Sequence, residues 1–522
     1  MTHTPFFAII KQAMRFASLS NSKNVSANDV LEMEAYYKES RRNFLTNSLK
    51  ASVAIGASSL MPIQGCKVNP KNNNNPVIAI VGGGISGLNA CYQLQKKGIK
   101  STLFEASRRA GGRMLSKQDI IAIGITTEVG AEFIDTVHED MLNLVTEFGL
   151  QMLDVTKDQT GAEKETFFIE GKRYKLAECI QEFKNVLPQI NADKDSIDEN
   201  YENEATIALD NMDMRSYING LKEGSPWFVK MLDYAYQAEM GLDSNEQSAL
   251  NFVDYLPRES KIDAFEIFGQ SDERFKVIGG NSRITDELYN RVKDQVQLDR
   301  KLKALHKESN KYILTFEGGG TFTADIVIMA MPFTILRNVD LDIPEMSAEK
   351  KQCIQTLGYG TNVKFAMGFR DRAWRKMNNQ GYLFNEIIEN GWDAGHMQND
   401  NKGNTGYTTF LGGKLGLAAN TAAEEGLKNT YLTQLNKIFP GAEADFNGKI
   451  NVAKWATNPL VMGSYSCYKV GQWTTISGYE AEPVGNIFFC GEHTSEDFQG
   501  FMNGGAKTGR LAAETVLSKI GV

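Results

Sequence analysis

No two of the six cysteines, at positions 66, 91, 179, 353, 467 and 490, lie within four residues of each other. That spacing excludes a CxxC metal or redox motif. The five histidines, at 3, 138, 306, 396 and 493, are equally scattered, so no metal site is expected. Positive charge is also scarce: 56 Lys and Arg against 64 Asp and Glu leave a formal net charge of −8. The absence of a basic stripe excludes a nucleic-acid footprint. An acidic surface would suit a cationic substrate, although −8 is commonplace on a chain of this size. What is present is ordinary for a soluble globular protein: 42% apolar and 23% charged residues. A length of 522 residues suffices for two or three domain-sized units.

The first 75 residues read as an address rather than as fold. Ser40-Arg41-Arg42-Asn43-Phe44-Leu45 precedes an apolar, small-residue stretch from Leu49 to Ile63. That stretch is shorter than the ~20 residues a spanning helix needs, so it reads as a signal segment. Arg41-Arg42 resembles a twin-arginine export signal, which carries folded proteins. Ile63-Gln64-Gly65-Cys66 resembles a lipobox, in which Cys66 would be lipidated. Residues 1–66 are thus expected to be an export signal and 67–75, with four consecutive asparagines, a linker. The expected location is the periplasm or cell envelope, with a membrane tether through Cys66.

Val77-Ile78-Ala79-Ile80-Val81 reads as a buried parallel strand. Gly82, Gly84 and Gly87 then match G-x-G-x-x-G, and Ile85 and Ser86 fill its variable positions. A helical pattern runs from Ile85 to Lys97, and a second strand, Ser101 to Phe104, leads to Glu105. Gly82 permits the tight turn, Gly84 lets a diphosphate approach the backbone, and Gly87 lets helix and strand pack closely. The helix N-terminus offers free N–H groups and a favourable dipole to phosphate. Glu105, at a strand end, would accept hydrogen bonds from a ribose. Strand, glycines, helix, strand and acid in this register predict dinucleotide binding. A plain glycine-rich strand-to-helix turn is the alternative.

Further motifs sharpen the ligand. Glu105-Ala106-Ser107-Arg108-Arg109-Ala110-Gly111-Gly112-Arg113 resembles a segment of the flavin-containing amine oxidase superfamily, here as an exported, bacterial-type member. The resemblance implies that Arg109, Gly112 and Arg113 bracket the phosphates and ribose of FAD. Glu128-Val129-Gly130-Ala131-Glu132-Phe133-Ile134 resembles the segment that passes beneath the flavin ring, placing Gly130, Ala131 and Glu132 there. Near the other end, Gly491-Glu492-His493-Thr494-Ser495 and Gly500-Phe501-Met502-Asn503-Gly504-Gly505-Ala506 resemble the family's closing motif. It implies that Glu492 bonds the ribityl or diphosphate region and that the helix starting near Met502 faces the flavin, with Gly500 and Ala506 alongside. Phe275 to Asn281 resembles a further family segment. Lys301 to Leu305 and Ile326 to Pro332 resemble strands closing the adenine pocket, with Leu302 at the adenine-reading position.

The same resemblance assigns chemistry. Gly358 to Lys364, followed by Phe365-Ala366-Met367-Gly368-Phe369, is similar to the segment whose lysine hydrogen-bonds a water beside the flavin; Lys364 is the matching position. An edge lysine facing solvent is the other reading of Lys364, on a strand of alternating pattern. Trp455, Pro459 and Gly463-Ser464-Tyr465-Ser466 resemble the segment carrying the first of two aromatics that flank the substrate amine, and Phe501 matches the second. Two π-faces could orient an amine. Monoamine oxidases attach flavin through a cysteine just before the first aromatic, where this sequence has Ser464, so FAD is expected to be noncovalent. An arginine that holds the carboxylate in L-amino acid oxidases has no counterpart after Gly130.

The expected fold is α/β: a Rossmann-like FAD-binding domain built discontinuously from 76–134, 270–335 and 454–522, plus an α+β substrate-binding domain from 135–269 and 336–453 with a mixed sheet and helices. The expected partners are a small amine, mono-, di- or polyamine, and molecular oxygen. The expected products are an imine, then aldehyde, and hydrogen peroxide. Lys364 and the aromatic pair argue against a carotenoid desaturase or porphyrinogen oxidase relative. A dehydrogenase passing electrons to a quinone or cytochrome, an L-amino acid oxidase-like activity and a flavoprotein serving only as a binding module remain open. So does the oligomeric state.

Overall fold

The computed structural model describes residues 76–158, 163–198, 200–254, 272–399 and 403–522. The leader and linker, with Arg41, Arg42 and Cys66, lie outside the described residues.

Ile78–Val81 is four apolar residues, all buried. A strand buried on both faces belongs inside a parallel sheet covered by helices. It pairs in parallel with Ile326–Met329 on one side and Thr102–Phe104 on the other. Ile487–Phe489 and Val296–Gln297 complete a five-stranded sheet at its two edges. The centre of this sheet therefore needs chain from the beginning, middle and end of the sequence.

Gly82 leaves the first strand at φ +110°, and a Cβ there would collide with the Ala330 carbonyl. Glycine is the residue that tolerates both conditions. Helix Ile85–Lys96 follows. The last helix, Met502–Ile520, lies against it. Asn89 Nδ2 donates to the Ala506 carbonyl at 2.8 Å, and at Gly509 a Cβ would run into the Ser86 backbone. This close approach binds the two ends of the chain together.

The segments from Lys301 and Ile326, expected to close one pocket together, lie in different sheets. Leu302–Glu308 belongs to a four-stranded sheet ordered Thr321–Ala324, Lys311–Phe316, Leu302–Glu308, Asp340–Asp342. Its strands keep exposed positions, whereas Ile326–Met329 is buried throughout. That difference in patterning separates them.

A seven-stranded mixed sheet holds the third layer of chemistry. Its order is Phe446–Lys454, Val363–Phe369, Thr405–Leu411, Glu389–Asp393, Asn379–Asn385, Glu163–Ile169, Lys172–Tyr174. Asn379–Asn385 and Glu163–Ile169 run parallel. Val363–Phe369 does not alternate as expected: all seven residues are buried. It has a strand on each side, and Phe365, Met367 and Phe369 pack with Tyr431 and Leu435 of helix Glu424–Ile438. Lys364 is thus on an interior strand rather than a solvent-facing edge. Helices Leu176–Asp195, Pro226–Met240 and Leu250–Val253 share a further apolar core. The fold is α/β, a Rossmann-like FAD-binding sheet with an α+β substrate-binding part.

Gly509→Ala is expected to destabilise the protein by roughly 1–3 kcal/mol through overpacking, read as a lower thermal midpoint. An unchanged midpoint would mean the two helices are free to part.

Candidate active site

One cleft collects the glycine-rich loops from both ends of the chain. Gly84, Ile85 and Ser86 line it beside Gly112 and Arg113, and Gly130, Ala131 and Glu132 form an adjoining wall. Lys364, Trp455 and Tyr465 enter from the large sheet and the segment after it. Gly491, Glu492, Gly500, Phe501 and Met502 close it. The remaining expected residues lie outside the lining. Gly82 and Gly87 shape the turn behind it, with a Cβ on Gly87 meeting the Gly82 carbonyl. Ala506 is buried between helices. Leu302 packs into the core with Phe104 and Phe316. Glu105 accepts the Gly83 N–H at 2.7 Å and the Ser107 N–H at 2.8 Å, and Ala106 lies between them in sequence. The Arg109 guanidinium is turned onto its own loop, donating to the carbonyls of Ala110 at 3.0 Å, Met114 at 3.3 Å and Gly112 at 2.5 Å.

The lining fits a dinucleotide cofactor. A Cβ added at Gly84 would meet no atom within 4 Å, so the backbone there is bare toward the cleft. Two helices begin at the lining, at Ile85 and Met502, and the first N–H groups of a helix have no intrahelical acceptor. His493 also lines the cleft, buried, with both ring nitrogens lacking a partner among the described residues. Burial pushes its pKa down to about 4, so the ring is neutral and offers one donor and one acceptor.

Two ionic clamps hold the walls. Arg113 donates to Glu492 Oε1 at 2.8 Å and to the Ser464 carbonyl at 2.7 Å. Glu492 Oε2 accepts from Ser466 Oγ at 2.8 Å and the Gly500 N–H at 3.0 Å. Burial alone would raise this carboxyl, but the Arg113 charge leads the effects that hold it below its ordinary value.

The second clamp is centred on Glu132. Its Oε2 accepts from Lys364 Nζ at 2.6 Å. Its Oε1 accepts from Lys276 Nζ at 2.9 Å and Trp392 Nε1 at 3.0 Å. Glu132 was expected among the flavin contacts; it lines the cleft, and its carboxylate is bound by two lysines and an indole. Burial pushes the carboxyl upward, but the Lys276 and Lys364 charges outweigh it and bring it down to about 2. Lys364 Nζ also sits 5.3 Å from the Trp392 ring and 5.9 Å from the Phe410 ring.

The aromatics are anchored as firmly. The Tyr465 hydroxyl donates to the Glu239 carbonyl at 2.5 Å, at the end of helix Pro226–Met240. The Phe501 ring meets the buried His138 ring edge-on at 4.9 Å. Trp455 Nε1 donates to the Val129 carbonyl at 3.0 Å. Ser464 Oγ donates to Asn362 Oδ1 at 2.6 Å, and Asn362 Nδ2 donates to the Ala238 carbonyl at 2.8 Å.

Lys276, Trp392, Asn362, Glu273 and His493 were not singled out in the sequence. Lys276 alone gave a usable signal: a lysine between Phe275 and Val277 is as unusual as Lys364 between Val363 and Phe365.

The profile of the flavin containing amine oxidoreductase family matches residues 85–517. The chain belongs to that family and is an FAD-dependent amine oxidase. It is similar to polyamine oxidase 5 of Oryza sativa subsp. japonica, 24% identical over 86% of this chain and 89% of that one. It is also similar to flavin-containing amine oxidase A of Sus scrofa, 23% identical over 85% of each. Among solved structures, a putrescine oxidase bound to putrescine superimposes with a TM-score of 0.72 at 18% identity, covering 85% of this chain and 99% of that one. Cyclohexylamine oxidase from Brevibacterium oxydans gives 0.74 at 19%, covering 86% and 100%.

Glu132→Gln leaves two buried ammonium groups without their anion, and a broken buried pair costs about 3–5 kcal/mol. The Glu132 carboxyl is lower in the folded than in the unfolded protein, so its stabilisation is full above the ordinary carboxylate pKa and is lost as pH falls toward 2. Thermal midpoints measured across that range should fall more steeply in the natural protein than in Glu132→Gln. Parallel curves would contradict this.

Proposed function

We propose that this cleft oxidises a primary or secondary amine to an imine, with molecular oxygen as the electron acceptor and hydrogen peroxide as the reduced product. The observation that carries the reading is that Lys364, Tyr465 and Phe501, from three separate segments, line one cleft with the glycine-rich loops. Bound FAD supplies the two-electron oxidation of the carbon beside nitrogen. The residues to hold it are Gly84, Ile85 and Ser86 at one helix start, Arg113 and Glu492 at the clamp, and Met502 at the other helix start.

The protein's own work is positioning and electrostatics. The two aromatic side chains confine the amine and exclude water around it, which favours its neutral, reactive form. Lys364, fixed by Glu132, orients a water in the cleft and takes part in moving the substrate proton. Ser464 occupies the position before Tyr465 and Cys467 is buried; among the described residues no cysteine lines the cleft, which supports noncovalent FAD. Among the described residues Arg113 is the arginine that lines the cleft, and it is engaged by Glu492 and Ser464, which disfavours a substrate carboxylate. The relatives named for polyamines and putrescine, and the one named for cyclohexylamine, support an aliphatic amine.

Residues 1–66 supply export by the twin-arginine route, with Cys66 as a lipid anchor in the cell envelope. Among the described residues no helix is long and apolar enough to cross a membrane. Cys66→Ser should move the protein from the membrane to the soluble fraction of the envelope; an unchanged distribution would remove the tether.

Anaerobic mixing of the holoenzyme with mono-, di- and polyamines should bleach the visible flavin band. Lys364→Met should retain flavin but slow bleaching about 10²-fold or more, the scale of lost general acid–base assistance. Bleaching by no amine would overturn the assignment, and unchanged kinetics would remove Lys364 from the reaction. Acid precipitation should release the flavin into solution.

A further inference from the structure

Glu273 lines the same cleft and takes no part in the network around Glu132. It is 4% exposed, yet neither carboxyl oxygen has a hydrogen-bond partner among the described residues. Its backbone is well fixed. The Glu273 N–H donates to Asp135 Oδ1 at 2.8 Å, and the residue adopts φ +44°, uncommon for a side chain of this kind. Strand Phe275–Val277 begins two residues later and pairs with Met152–Asp154. The backbone therefore holds in place a carboxyl whose two oxygens have no hydrogen-bond partner among the described residues.

Buried polar groups are almost always satisfied, and an exception calls for a reason. Here the surroundings supply one. Burial first, then the negative charges of Asp135 and Glu239, push the carboxyl well above its ordinary range, against the weaker opposing pull of the Lys164 charge. Glu239 belongs to the helix end whose carbonyl anchors Tyr465. This part of the cleft disfavours a lone negative charge and favours the arrival of a positive one, which would ionise the carboxyl and complete its hydrogen bonds. Lys364 does not do so: its ammonium is held by Glu132 at 2.6 Å, and neither Glu273 oxygen has a partner among the described residues.

Resting on the reading of this cleft as an amine site, we propose that Glu273 is a subsite for a second ammonium group. The preferred substrate is then a diamine or longer polyamine that carries one positive charge away from the reacting nitrogen. A monoamine of the same length fills the aromatic end and leaves Glu273 unpaired. A diamine satisfies both ends.

The test compares kcat/KM of the holoenzyme for 1,4-diaminobutane and for butylamine. The natural protein should favour the diamine by about 10- to 100-fold, the worth of one charge-assisted hydrogen bond. Glu273→Gln, of the same shape and without charge, should bring that ratio close to one, and Glu273→Asp should recover part of it. A ratio near one in the natural protein would overturn the proposal. So would a ratio in Glu273→Gln within about twofold of the natural one, the flavin content being normal. Were Glu273→Gln to misfold, the ratio in the natural protein still decides. Absence of flavin bleaching with either amine is a different result: it overturns the amine reading of the cleft, and the subsite with it.

Discussion

The arrangement depends on one buried carboxylate. Glu132 lies between Lys364 and Lys276, with the Trp392 indole as a third donor. Each lysine would be costly to bury alone, and the carboxylate would be costly without them. Together they tie residue 132, the strand at Lys276 and the interior strand of the large sheet into one unit. The two-stranded pair that carries Lys276 and the seven-stranded sheet thereby meet at a fixed charge rather than at an adaptable apolar contact. That charge stands in the wall of the cleft that the glycine-rich loops define.

Around this centre the molecule repeats one device, a local residue pair closing a long sequence separation. Arg113 and Glu492 are joined across 379 residues. Asn89 and the Ala506 carbonyl are joined across 417. The second brings the last helix to the first, so that two helix starts border a common space. Discontinuity along the sequence is the consequence of building one sheet from strands at 78, 326 and 487.

Much of this was legible in the sequence because glycine and patterning carry local constraints. Gly82 is required by its backbone angle and by the Ala330 carbonyl, and a strand of uninterrupted apolar residues had to be interior. The closing motif at Glu492 and Phe501 was legible through its resemblance to the family's segment. Partnership was not legible. Nothing local to Glu132 indicates that its charge is spent on lysines 144 and 232 residues away. The strand of Lys364 was misread as alternating because its second face is covered by elements far along the chain. Arg109 was expected at the phosphates, yet its fork is absorbed by three carbonyls of its own loop. Glu273 gave no signal because what is unusual about it is a missing hydrogen-bond partner among the described residues, which no local pattern records.

The central claim is that Glu132 and Lys364 act as one unit at the heart of an amine-oxidising cleft. A double-mutant cycle of Glu132→Gln and Lys364→Met, read in unfolding free energy, tests it most directly. Residues in contact within one ionic network show coupling of about 0.5–3 kcal/mol, and the two changes together should cost less than the sum of their separate costs by an amount in that range. Strict additivity would show that the two side chains do not depend on each other and would contradict the account.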